Sequence, residues 1–178
     1  MYVKNLDAQT MWAVPVNDTL SLSAGGAYFE EELNDLTSNQ ISELSLVDGH
    51  QWSVFAEGEW KIIKDFAITT GLRYDDDQNY GGQLSPRLYG VWQISSTTIL
   101  KGGISTGFRA PNLRQTNPSW GQISRGGNIY GNPDLEAESS VSYELGLYQD
   151  FGKDTTVSAT VFYNEFEDRI TRIQCPTD

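Results

Sequence analysis

The amino-acid sequence predicts an all-β chain, an antiparallel transmembrane β-barrel segment of about eight sequential strands. Three observations predict it. Apolar and polar residues alternate with a period of two through eight segments, most near the ~9–11 residues that a tilted strand needs to cross a bilayer. The connections alternate between short turns and longer polar loops, the layout of a barrel with turns on one side of a membrane and loops on the other. Aromatic residues stand at both ends of the apolar face, where two membrane interfaces would lie. Composition agrees. Hydrophobic residues make up only 38% of the 178, and soluble domains run higher, ~45–50% on a count that includes Gly. Yet aromatics reach 12%, which opposes disorder. No run approaches the ~18–20 apolar residues of a membrane helix, and barrels cross bilayers without one. The opening MYVKNLDAQTMWAV lacks the basic and apolar regions of a signal peptide.

The strands are expected at 4–13, 19–29, 50–60, 66–74, 83–93, 97–108, 140–151 and 155–166. Pro15-Val16-Asn17-Asp18 is a tight turn, and 30–49 is a long polar loop. Lys61 to Asp65 is short, and 75–82 (DDDQNYGG) is a moderate loop. Ile94-Ser95-Ser96 is short, and 109–139 is very long. Gly152-Lys153-Asp154 is short, and Glu167 opens another polar segment. Loops beyond ~12–15 residues are uncommon unless they serve a function.

One parity of each strand is apolar. The third strand reads Trp52, Val54, Ala56, Gly58, Trp60; the fourth reads Phe66, Ile68, Thr70, Leu72, Tyr74. The fifth reads Leu84, Pro86, Leu88, Gly90, Trp92, and the seventh Val141, Tyr143, Leu145, Leu147. The other parity holds Glu57, Glu59, Arg73, Arg87, Lys101, Glu144 and Asp150 among Ser, Thr, Gln and Gly. Trp52 and Trp60 are eight residues apart, about 26 Å along a strand, or about 20 Å along the membrane normal at ~40° tilt. That is close to the ~25 Å apolar band between aromatic girdles. A soluble β-sandwich or small barrel that binds carbohydrate or protein is the alternative, because it too has one apolar and one polar face.

Several function classes are excluded or weakened. With 24 acidic and 12 basic residues the net charge is −12, so no nucleic-acid partner is expected. One Cys and one His rule out an internal disulfide framework and any multi-His or multi-Cys metal site. Asp75-Asp76-Asp77 lacks the spacing of a calcium loop and reads as a solvated loop tip. Gly102-Gly103 and Gly107 precede no Lys-Ser/Thr and no helix, so they form no phosphate loop. Catalysis would need a base, and His50 is the single imidazole, with no Ser paired to it. No catalytic residue, metal ligand or cofactor is expected.

The segments GISTGFRAPNLRQTNP (103–118) and GNPDLEAESSVSYELGLY (131–148) are the most informative. Pro111 ends a strand because it cannot donate to a ladder, and Gly131-Asn132-Pro133-Asp134 is strong turn chemistry. TTGLRYDDDQNYGGQLSPRLYGVW (69–92) and WSVFAEGEW (52–60) precede them in order. Together these motifs resemble the TonB-dependent outer-membrane receptors of Gram-negative bacteria, most of all those for ferric catecholate siderophores and colicins. The resemblance implies a barrel of 22 strands around a plug, of which residues 1–178 would be an open, curved, interior section with the plug domain absent. It implies iron-chelate uptake, driven by TonB acting on that plug. It also implies a ferric siderophore, outer-membrane lipid and a colicin or phage as partners. The motifs themselves are expected to fix loop geometry more than to touch ligand. In the 109–139 loop, Arg114, Trp120, Arg125 and Tyr130 are the expected ligand contacts, since cationic and aromatic side chains suit an anionic aromatic chelate. Cys175 is expected to pair with a cysteine beyond residue 178.

Overall fold

In the computed structural model the described residues are 2–34, 46–118, 121–124 and 127–174. The chain runs β1 (Tyr2–Asn17), β2 (Leu20–Asn34), β3 (Leu46–Ile63), β4 (Phe66–Asp77), β5 (Gly81–Gln93) and β6 (Thr98–Arg109). A single helical turn α1 (Leu113–Thr116) and a small hairpin, β7 (Gly121–Ser124) and β8 (Gly127–Tyr130), follow. β9 (Glu138–Gly152) and β10 (Thr155–Glu167) complete the order. Eight strands form one sheet in the order β1-β2-β3-β4-β5-β6-β9-β10, and every neighbouring pair is antiparallel. The sheet is open, with β1 and β10 at its edges. All eight expected strands are present and pair in chain order.

The differences lie at the strand ends and in the expected 109–139 loop, which holds α1, β7 and β8. β2 and β3 pair as far as Asn34↔Leu46, so both stems of the 30–49 loop are strand. β4 continues through Asp77 and β5 begins at Gly81, which shortens the expected 75–82 loop to a three-residue turn. A charged sequence such as DDD can pair through its backbone without showing apolar alternation.

Each tight turn has a local cause. Asn17 Oδ1 accepts hydrogen bonds from the backbone N–H groups of Thr19 (2.8 Å) and Leu20 (2.9 Å). Pro15 sits beside an irregularity in the β1–β2 register, a place where a missing N–H is tolerated. Lys153 (φ 51°) and Asp154 (φ 62°) are both left-handed, as a two-residue hairpin with the twist of its strands requires.

A single layer has little interior. Leu33 is the one fully buried hydrophobic side chain among the described residues. Trp60, Leu72, Leu88, Trp92, Leu145 and Val161 all stand exposed on the apolar face. No described helix is long and apolar enough to cross a membrane, which leaves the strands as the elements that could.

One seam is shorter than the rest. β5 and β6 pair over seven residues, Arg87↔Ser105 to Gln93↔Ile99. The other six seams of the sheet pair over twelve to fifteen. The ladder stops at Pro86, which has no N–H to give to β6. Thr106 Oγ1 reaches the Pro86 carbonyl at 3.4 Å, and above that point β6 pairs only with β9.

Candidate functional site

The charged face is organised by register. Glu57, Gly71, Arg87, Ser105 and Ser142 form one row across five strands, and Glu59, Thr69, Tyr89, Gly103 and Glu144 form the next. Partners in a row share a face, so the expected charges lie together, opposite Trp52, Trp60, Tyr74 and Trp92. The glycines let long side chains reach across a strand. Arg87 meets Glu57 at 3.6 Å over Gly71, where an added Cβ would lie 3.3 Å from Glu57 Oε2. Tyr89 covers Gly103 and donates to Glu144 Oε1 at 3.0 Å, while Lys101 Nζ approaches the same oxygen at 3.7 Å.

The best-satisfied cluster of this face was not legible in the sequence. Asp75 is only 5% exposed, although an aspartate triplet reads as a loop tip. Arg73 Nε donates to both its carboxylate oxygens at 2.9 Å, Gln51 Nε2 donates to Oδ1 at 2.9 Å, and Arg73 Nη2 donates to Ser53 Oγ at 2.8 Å. The Arg73 guanidinium also lies 5.8 Å from the Phe55 ring centroid. Burying a carboxylate is tolerable only with partners of this kind. Its neighbours behave differently. Asp76 faces the apolar side and accepts from Trp52 Nε1 at 3.0 Å. Asp77 Oδ1 caps the turn through the N–H groups of Asn79 and Tyr80. In that turn, burial and then the Asp77 carboxylate raise the Tyr80 phenol above its ordinary pKa.

The described residues of the long loop hold local structure and fold against one another. Asn112 caps α1 by accepting from Arg114 N and Gln115 N, and Gln115 Oε1 accepts from Asn112 N in return. This reciprocal box, an Asn followed three residues later by Gln, was the available signal for a helix start. Asn132 N donates to Gln115 O at 2.6 Å. Gly131 fits against α1 so closely that a Cβ there would meet the carbonyl oxygens of Asn117 and, at 2.7 Å, Arg114. The two motifs NLRQTNP and GNPD therefore close the base of one loop against each other. Below them Arg109 Nη1 and Glu138 Oε2 pair at 3.1 Å, and Glu138 Oε1 accepts from Ile170 N at 2.7 Å. That carboxylate ties the segment after β10 to the stem of the long loop.

Of the four expected ligand residues, Trp120 and Arg125 lie outside the described residues, as does Cys175. Arg114 lies in α1 beside a concavity shared with Val3, Glu31, Leu33, Asn112 and Leu113. Tyr130 ends β8 and is half exposed, with Asn128 Nδ2 donating to its Oη at 3.4 Å. His50 of β3 stacks on Tyr28 of β2, with ring centroids 6.1 Å apart. No group of three or more His, Cys, Asp and Glu among the described residues could hold a metal ion.

A soluble sandwich needs a second sheet against the apolar face, and the described residues offer only the two-stranded β7–β8. The model of the TonB dependent receptor-like β-barrel matches residues 4–178. The chain belongs to the TonB-dependent receptor family and forms part of its barrel. It is 45% identical, over all its length, to the iron-regulated outer membrane virulence protein of Vibrio cholerae serotype O1. It is 31% identical to the ferrienterobactin receptor of Escherichia coli K12 over 87% of the chain. The chain spans 27% and 24% of those relatives' lengths. The ferric enterobactin receptor of Pseudomonas aeruginosa, solved as a mutant in complex with enterobactin, superposes with a TM-score of 0.83 at 26% identity. That match covers 93% of this chain and 27% of the receptor. The barrel wall belongs to the outer membrane of a Gram-negative bacterium, its apolar face toward lipid and its charged face toward the lumen. The E. coli relative is a receptor, and a further relative is a vitamin B12 transporter of Vibrio cholerae; neither is an enzyme.

Proposed function

We propose that the 178 residues are a wall section of a longer TonB-dependent receptor that takes up a ferric catecholate siderophore. The observation that carries this reading is the likeness of nearly the whole sheet to a receptor solved with enterobactin, joined to the identity with the E. coli ferrienterobactin receptor. The charge pattern supports it. The polar face carries paired charges and hydroxyls, suited to a wet interior, and the described part of the long loop carries Arg114 and Tyr130. Energy would come from TonB through a plug domain encoded outside these residues. A colicin or phage would use the same extracellular loops.

Arg114, Trp120, Arg125 and Tyr130 are the proposed ligand contacts. A ferric tris-catecholate is anionic and aromatic, so guanidinium charge and ring stacking act on it together. The test is uptake of ferric enterobactin by the full-length receptor in a bacterium stripped of its own siderophore receptors. Growth under iron limitation is expected, and Arg114→Ala with Arg125→Ala should weaken binding at least ~10-fold, about 1.4 kcal/mol. A receptor that binds and imports no ferric catecholate sinks the proposal. Unchanged affinity in the double variant removes the site but leaves the uptake.

A further inference from the structure

We propose that the wall is jointed at the β5–β6 seam, and that α1 is the latch which holds the joint. Two observations combine. First, the seam is zipped only below Pro86, over seven residue pairs, and the segment Thr106–Arg109 has β9 beside it but no ladder to β5. Second, the loop that leaves β6 does not stay on its own side. It places Leu113 on Gly49 of β3, three strands away in the sheet order, where a Cβ would lie 2.9 Å from Leu113 Cδ2. Leu113 shares a concavity there with Leu33, the one fully buried hydrophobic side chain among the described residues. An apolar contact thus joins a residue carried by the loop after β6 to a stem on the other side of the open seam.

The arrangement has the parts of a hinge. β6, β9 and β10 make one leaf, tied at its top by Arg109, Glu138 and Ile170. β1 to β5 make the other, tied by Gln51, Ser53, Arg73 and Asp75. The lower seam holds the leaves together, and Pro86 stops the ladder from climbing further, because an extra rung would need its N–H. Seating Leu113 on Gly49 closes the upper part, and lifting it frees the loop-bearing leaf. Gly49 suits this role, since any side chain there would fill the seat.

In a fully zipped seam Leu84 would face Phe108, with Cα atoms about 4.5–5.5 Å apart. Spin labels at Leu84→Cys and Phe108→Cys, in the full-length receptor in lipid vesicles, report the opening by pulsed electron resonance. The unaltered seam should give a broad distribution of separations. Pro86→Ala restores a donor and should collapse it to one short separation. Gly49→Val expels Leu113 and should shift it to longer separations. Leu113→Ala removes the same contact without adding bulk, and serves if the valine variant does not assemble. The joint requires both shifts. A single short separation before any change, or a distribution that either Pro86→Ala or loss of the latch leaves in place, overturns it. Ferric enterobactin uptake by the same receptors decides the transport reading separately, since the separations need no ligand.

Discussion

Arg87 and Leu88 are consecutive residues of β5 and belong to different solvents. Arg87 lies over Gly71 with Glu57 as its partner and the Tyr89 ring 5.5 Å from its guanidinium carbon. Leu88 is as exposed as Arg87 but stands among Thr70 and Ile104 in its row, on a face without such ion pairs. Exposure alone therefore says little about this sheet. What separates the faces is whether a polar group has been given a partner. The lumen face resembles a protein surface whose charges are matched, and the lipid face resembles a core with its other half missing. A bilayer supplies that half.

The comparison breaks most sharply if a charge is moved across it. Leu88→Arg should destabilise the receptor by about 2–4 kcal/mol, since it places a cation near mid-membrane. Denaturant unfolding of the lipid-folded receptor measures this, and stability equal to the parent would reverse the assigned orientation. Second in size is Arg73→Met, which leaves the buried Asp75 with Gln51 as its remaining side-chain donor. A loss of about 1–3 kcal/mol is expected for a carboxylate stripped of its charged donor. Restoring stability with Arg73→Met plus Asp75→Asn would show that the stranded charge, not lost packing, was the cause. The smallest effect belongs to Arg87→Leu. Its ion pair is solvent-accessible, so at most about 1 kcal/mol should be lost, and a drop as large as that of Leu88→Arg would erase the distinction between the faces.

The same distinction explains what the sequence showed. Eight strands were legible because lipid on one side and water on the other impose a period of two on every crossing segment. Where strands leave the membrane that imposition ends. Glu30-Glu31-Glu32 and Asp75-Asp76-Asp77 are strand residues in the structure, yet as letters they read as loop. The loop module was hidden for another reason. α1 is four residues long, too short for periodicity, and is held by its cap and by contacts from Gly131 and Asn132, fifteen residues or more along the chain. Pro86 was visible on the apolar parity, and a proline in an interior strand is itself a sign of a broken ladder. The expected ligand contacts depend on one charge and one ring outside the described residues, so their grouping in the long loop is where the reading of that site rests.

The aspartate triplet of β4 also bears on how such a wall can change its length. Asp75, Asp76 and Asp77 occupy a buried ion-pair socket, the lipid-side rim and a turn cap in successive positions. Inserting one more aspartate there would leave the local spelling the same. It would nevertheless turn every residue on one side of the insertion to the opposite face, sending Arg73 toward lipid or the turn cap out of place. Single-residue insertions and deletions should therefore be confined to the turns and loop tips, and those inside the crossing strands should arrive in twos. Length variation among barrels of this kind should then follow a parity rule that no individual side chain reveals.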